Sequence, residues 1–226
     1  MSPDRETATF VLIHGGGGSS WDWHLVVPEL RARGHDVVAV GLPIEDPAKG
    51  VSEYADSVIA DIGDRSNVVV VAHSYGALTA AVVCSRIDTE LLVLVSGMIP
   101  VPGEAPDAWW SEAGYDGRGV AMDTPEQIVD VFMHDVPADL AAEALRRERS
   151  DAGTKGGEPI PLEEWPKVPT RFLLCRDDRF FPPEFMRPLI RDRLGITPDE
   201  IEGSHGVMLS HPRPLAERLH RYWTDL

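Results

Sequence analysis

Short apolar runs alternate with helical spacing along most of the chain. Thr9-Phe10-Val11-Leu12-Ile13-His14, Asp36 to Val40, Asn67-Val68-Val69-Val70-Val71-Ala72 and Leu91 to Val95 are apolar stretches of strand length. Between the first two, Trp23 to Arg33 carries Leu25, Val26, Glu29 and Leu30 at helical spacing and closes at Gly34. Ser52 stands where it would cap a helix running to Ile62, with Tyr54, Val58 and Ile62 four apart on one face. Tyr75 to Arg86 reads as a helix of small residues. Apolar strands separated by helices predict a parallel sheet covered on both faces, an α/β fold.

The alternation stops between Met98 and Val168, a stretch rich in Pro, Gly and Trp. Two helices are expected there, Pro125–Phe132 and Pro137–Arg149, and no strand. The pattern resumes at Arg171–Cys175, followed by a helix over Pro183–Leu194, a short strand over Asp199–Glu202 and a last helix from Pro212 to Trp223. One domain accounts for this. Residues 1–97 and 169–226 form the core, and residues 98–168 are inserted as a short helical cap. Long loops at the C-terminal edge of such a sheet are where lids and binding residues sit.

Composition narrows the function classes. A chain of 226 residues is long enough to bury a proper core. With 21 Lys+Arg against 37 Asp+Glu, the net charge of −16 argues against nucleic acid and anionic membrane surfaces as partners. No stretch reaches the ~18 apolar residues of a membrane span. The polar start Met1-Ser2-Pro3-Asp4-Arg5-Glu6 lacks the apolar run of a secretory signal, so a cytoplasmic location is expected. Cys84 and Cys175 lie in apolar elements and read as buried small hydrophobes rather than a disulfide framework. Neither H-E-x-x-H nor C-x-x-C occurs, and no metal or cofactor is expected.

Candidate chemistry centres on Val71-Ala72-His73-Ser74-Tyr75-Gly76-Ala77. A strong strand runs directly into a small-residue helix with Ser74 at the junction, the setting of a nucleophile elbow. Small residues are needed two before and two after the serine, because strand and helix nearly collide. Ala72 and Gly76 meet that need, and the competing reading is an ordinary N-cap serine. The backbone N–H of Tyr75 is then one half of an oxyanion hole. His14-Gly15-Gly16-Gly17-Gly18 follows the first strand. As a dinucleotide fingerprint it fails at Ser20, where the third glycine belongs, and as a phosphate loop it lacks Gly-Lys. It reads instead as a loop bending over the elbow, with Gly16 as the second backbone donor, or else as a flexible connector.

A triad in this architecture continues with an acid and then a histidine. After the strand Arg171–Cys175 stand Asp177 and Asp178, and after the last short strand comes Glu202-Gly203-Ser204-His205-Gly206. His205 is the expected general base. Asp178 is the preferred acid, with Asp177 binding the turn. His24, His35, His134, His211 and His220 read as surface or partly buried polar residues. Met98, Trp109, Trp110, Phe132, Phe180 and Phe181 are candidates for an apolar substrate surface, with packing onto the core as the competing reading.

These residues in this order resemble the α/β-hydrolase superfamily, and the likeness extends over nearly the whole chain apart from the insertion. Within it, Phe10-Val11-Leu12-Ile13-His14-Gly15, Trp21-Asp22-Trp23, Gly34-His35-Asp36-Val37 and Gly203-Ser204-His205-Gly206-Val207-Met208-Leu209-Ser210 before Pro212 are similar to the plant methylesterase and hydroxynitrile lyase branch. The resemblance implies Ser74, Asp178 and His205 as the triad, Gly16 and Tyr75 as backbone donors, and residues 98–168 as a cap shorter than in the plant enzymes. The lyases carry Thr after the first-loop histidine and Lys after the catalytic histidine. Here those positions are Gly15 and Gly206, which favours hydrolysis. The expected activity is acyl-enzyme hydrolysis of a small, largely apolar ester or lactone. Lyase, thioesterase or cofactor-free chemistry on the same triad, or a ligand-binding module with little turnover, are the alternatives.

Overall fold

The computed structural model describes residues 7–115, 120–150 and 155–226. Six strands form one all-parallel sheet: β1 (Thr9–Ile13), β2 (Asp36–Val40), β3 (Val68–His73), β4 (Leu91–Val95), β5 (Thr170–Cys175) and β6 (Asp199–Ile201), in the order β2-β1-β3-β4-β5-β6. The centre of the sheet is Val- and Leu-rich because both its faces are covered. Side chains alternate across it. Val11, Val70, Leu92 and Phe172 pack with α2 (Val51–Ile62), α3 (Gly76–Arg86) and α7 (Pro183–Leu194). Phe10, Val69, Val93 and Leu173 pack on the opposite face with α1 (Val26–Arg31) and α9 (Pro212–Thr224). Cys84 and Cys175 are buried free thiols, and burial pushes both thiol pKa values up.

The helix expected over Trp23–Arg33 is divided. Ser19 and Asp22 form a capping box that winds Ser20–Trp23 into a 3₁₀ turn, and α1 starts only at Val26. Helix α2 begins one residue before the expected cap. The Glu53 carboxylate accepts from Gly50 N–H at 2.9 Å, while Ser52 Oγ accepts from Arg86. The connection between β4 and β5 carries α5 (Pro125–Phe132) and α6 (Ala138–Arg147), and no strand among its described residues. It also carries α4 (Pro106–Glu112), which the apolar pattern did not indicate. Helix α8 (Val207–Ser210) is a single turn before α9. Among the described residues, no helix is long and apolar enough to cross a membrane.

Candidate active site

The chain leaves β1 for β2 on one side and returns to β3 on the other. The C-terminal ends of β1 and β3 therefore flank the switch point of the sheet, where a crevice opens in folds of this kind. The loop after β1 is the glycine run, and the turn after β3 is Ser74-Tyr75. Ser74 has φ +50°, a left-handed conformation that costs a non-glycine residue roughly 1–3 kcal/mol. It is held there from both sides: Ser74 N–H donates to Val95 O at 3.3 Å, and Ser74 O accepts from Met98 N–H at 3.0 Å. Gly76 is a steric requirement. A Cβ there would lie 2.2 Å from the His14 carbonyl oxygen.

The glycine loop lies directly on this turn. A Cβ on Gly15 would stand 3.0 Å from Ser74 Cβ and 3.1 Å from His73 Nδ1, and one on Gly16 would stand 3.8 Å from Tyr75 Cβ. His14 fixes the loop. Its Nδ1–H donates to Gly15 O at 2.8 Å and its Nε2 accepts from Leu42 N–H at 3.0 Å. Both roles suit the neutral ring, and burial lowers its pKa to about 4. Behind the elbow, His73 Nε2–H donates to His205 O at 3.0 Å, and burial drives its pKa well below the ordinary value.

His205 follows β6, and its Nδ1–H donates to Asp178 Oδ2 at 2.7 Å. Asp178 Oδ1 accepts from the N–H groups of Phe180 (2.9 Å) and Phe181 (2.8 Å), so the buried carboxylate is fully engaged. Asp177 does not reach the imidazole through any hydrogen bond among the described residues. Its Oδ2 accepts from Gly203 N–H at 3.1 Å and its own N–H donates to Gly203 O, which ties the turn before His205 to β5.

Ser74, His73, His205, Gly206 and the loop Gly15–Gly18 line one cavity of about 170 Å³. Its far wall is apolar: Ile128, Phe132 and Met133 from α5 and its C-terminal end, Ala144 and Leu145 from α6, and Met208 and Leu209 from α8. Asp22 and, at the end of α6, Arg147 and Glu148 supply its polar side. Burial raises the Asp22 pKa to about 6.

The model of the alpha/beta hydrolase family matches residues 10–218. The chain belongs to this family. It is 26% identical to polyneuridine aldehyde esterase of Rauvolfia serpentina, over 95% of each chain. It is 22% identical to methylesterase 1 of Arabidopsis thaliana, over 96% of each. The crystal structure of polyneuridine aldehyde esterase superposes with a TM-score of 0.84 at 19% identity, covering 96% of this chain and 99% of that one. The hydrolase fold and the likeness to the plant esterase branch thus agree with the sequence.

Of the six apolar residues expected in the pocket, Phe132 alone lines the cavity that contains Ser74. Met98 lies behind the elbow, buried in the core. Trp109, buried in that core, donates its Nε1–H to Ile99 O at 2.9 Å and packs edge-on against Trp110 and at 5.5 Å from Phe181. Phe180 and Phe181 meet the His205 ring at 5.3 and 5.5 Å, wedging it in place from the side of Asp178. For these five residues the competing reading, packing, describes what they touch. The apolar lining comes instead from the faces of α5 and α6 and from Met208-Leu209. Spacing places Ile128, Phe132, Ala144 and Leu145 in expected helices, but no sequence signal says which face looks at Ser74.

Proposed function

We propose that the protein is a serine hydrolase that cleaves a compact, largely apolar carboxylic ester or lactone through an acyl-enzyme. The observation that carries this reading is that His205, bonded to Asp178, shares a cavity with Ser74 on its strained turn. Asp178 accepts the Nδ1 proton of His205, which leaves Nε2 as the lone-pair nitrogen. Ser74 Oγ attacks the carbonyl carbon as its proton passes to His205 Nε2. The N–H groups of Gly16 and Tyr75 receive the oxyanion. The imidazolium then protonates the leaving oxygen, the C–O bond breaks, and water repeats the sequence to release the acid and restore Ser74.

The β4–β5 connection serves as the cap, since α5 and α6 supply the wall facing the serine. The cavity is smaller than the ~300–1,000 Å³ usual for drug-sized ligands, which supports a compact substrate. The names of the relatives, esterases of small molecules, support ester cleavage. Gly15 and Gly206 support hydrolysis over cyanohydrin cleavage. Each is packed so closely that a side chain would meet Ser74 Cβ at 3.0 Å or Met133 Cγ at 3.1 Å. A fluorophosphonate probe tests the proposal. Rapid labelling of Ser74, absent from Ser74→Ala, and turnover within a panel of small esters, lactones and matched thioesters are the expected results. A folded protein that neither labels nor turns over any of them would refute it.

A further inference from the structure

The loop that carries His205 has an internal bond, from Gly206 N–H to Ser204 Oγ at 3.2 Å, and is otherwise held from outside. Gly203 has φ +130°, in a region that L side chains rarely adopt, and the peptide groups flanking His205 are bonded to other parts of the chain. The bonds come from the corner between α5 and α6. Asp135 Oδ2 accepts from Ser204 N–H at 2.9 Å. Phe132 O accepts from Gly206 N–H at 2.7 Å and from Ser204 Oγ–H at 3.0 Å. His211, at 3.5 Å from Asp135 Oδ2, closes the far side.

We propose that Asp135 is a positioning residue for His205, coupling the α5–α6 corner of the cap to the general base. The proposal rests on the reading of His205 as that base. Two features separate Asp135 from ordinary packing. Its Oδ1 is buried and has no hydrogen-bond partner among the described residues, a cost that an apolar residue would not carry. Its second oxygen holds the N–H of Ser204, the residue before the histidine. Burial alone would raise its pKa, yet the Ser204 and Ser210 hydrogen bonds outweigh that and keep it below the ordinary range, so the acceptor stays charged. Charge-assisted bonds of this kind are the stronger ones. Asp135 also lies on the same segment as Phe132 and Met133, which line the cavity. The wall that meets substrate and the loop that holds the base are therefore one hydrogen-bonded unit.

The test compares Asp135→Ala, Asp135→Asn and Ser204→Ala with the wild type on one ester. Misplacing a reacting group by about 1 Å costs on the order of 10² in rate. Asp135→Ala is expected to lower kcat by about 10- to 100-fold with KM nearly unchanged. Asp135→Asn keeps an acceptor for Ser204 N–H and restores most of the loss. Ser204→Ala, which keeps the backbone bond to Asp135 but removes the bond to Phe132 O and the one that Ser204 Oγ accepts from Gly206 N–H at 3.2 Å, lowers kcat by a smaller factor and serves if Asp135→Ala fails to fold. A folded Asp135→Ala with unchanged kcat and only a lower Tm overturns the proposal, as does a loss that Asn does not restore. The Nδ1–H resonance of His205, read by NMR, needs no turnover. It is expected to broaden in Asp135→Ala and persist in Asp135→Asn, and an unaltered resonance in Asp135→Ala also overturns the proposal. Absence of Ser74 labelling in the wild type refutes the hydrolase reading, while the resonance still decides the role of Asp135.

Discussion

Acidification from pH 7 to pH 5 is expected to destabilise the fold by about 3 kcal/mol or more, through a few buried groups. Burial lowers His14 and His35 from the ordinary 6.5 to about 4. The His35 ring is locked neutral, accepting from Ala8 N–H at Nδ1 and meeting His220 Nδ1 at 2.9 Å through Nε2. The unfolded chain takes up protons at these positions as pH falls through 6.5, and the folded chain resists until about 4. Stability is therefore full above 6.5 and lost between 6.5 and 4. Each histidine withdraws about 2 kcal/mol between pH 7 and pH 5. Asp22 has the opposite sign. Its folded pKa of about 6 lies above the ordinary 3.8, so its ionisation opposes folding at pH 7 and acidification returns about 1 kcal/mol. Burial also lowers His73, which acts in the same direction, so about 3 kcal/mol is a lower bound. Against a typical stability of ~5–15 kcal/mol the change is large. Urea unfolding at the two pH values, followed by fluorescence of the buried Trp23, Trp109 and Trp223, measures it. In Asp22→Asn the offset disappears and the drop grows to about 4 kcal/mol or more. A stability at pH 5 within 1 kcal/mol of that at pH 7, or an unchanged drop in Asp22→Asn, would refute the reasoning.

Other expectations concern the site and its support. Asp178→Asn should lower kcat by about 10⁴-fold, while Asp177→Asn, whose side chain bonds the Gly203 turn, should cost far less; the reverse order in steady-state kinetics would exchange their roles. Gly76→Ala forces a Cβ to within 2.2 Å of a backbone oxygen, so helix α3 must retreat, and both Tm and Ser74 labelling should fall. Trp109→Ala should cost about 3–5 kcal/mol in chemical denaturation by emptying the aromatic cluster around Phe181, with little change in KM. An increase in KM as large as the loss of stability would return Trp109 to the substrate surface.

The sheet was legible because apolar runs of strand length have few other uses, and Val68–His73 carries an unbroken one. Ser74, Asp178 and His205 were legible for a similar reason. Each stands in the loop that follows a strand, where the main chain leaves the sheet and a polar side chain can be displayed. Between β4 and β5 that guide is missing. Helix α4 is only seven residues long and opens on Pro106, too short for a period to show. Aromatic residues there looked like a pocket because composition cannot distinguish a ring facing a ligand from a ring facing another ring. Asp135 gave no signal, because its partner is a backbone N–H distant in sequence.

The contact between Gly15 and the Ser74 turn also bears on how this chemistry can change over evolutionary time. A hydroxyl-bearing side chain at position 15 is one of the groups that a cyanohydrin lyase of the related branch would use. Here it would arrive 3.0 Å from Ser74 Cβ and 3.1 Å from His73 Nδ1. His73 cannot easily yield, since its far nitrogen is bonded to the carbonyl of His205. A codon change at Gly15 would therefore disturb the Ser74 turn before it contributed anything new. A lineage with this packing reaches such chemistry only if the glycine loop lifts, or residue 73 shrinks, first. The order of mutations is constrained by sterics, and the immediate neighbours of this sequence should retain the same reaction even where their caps diverge.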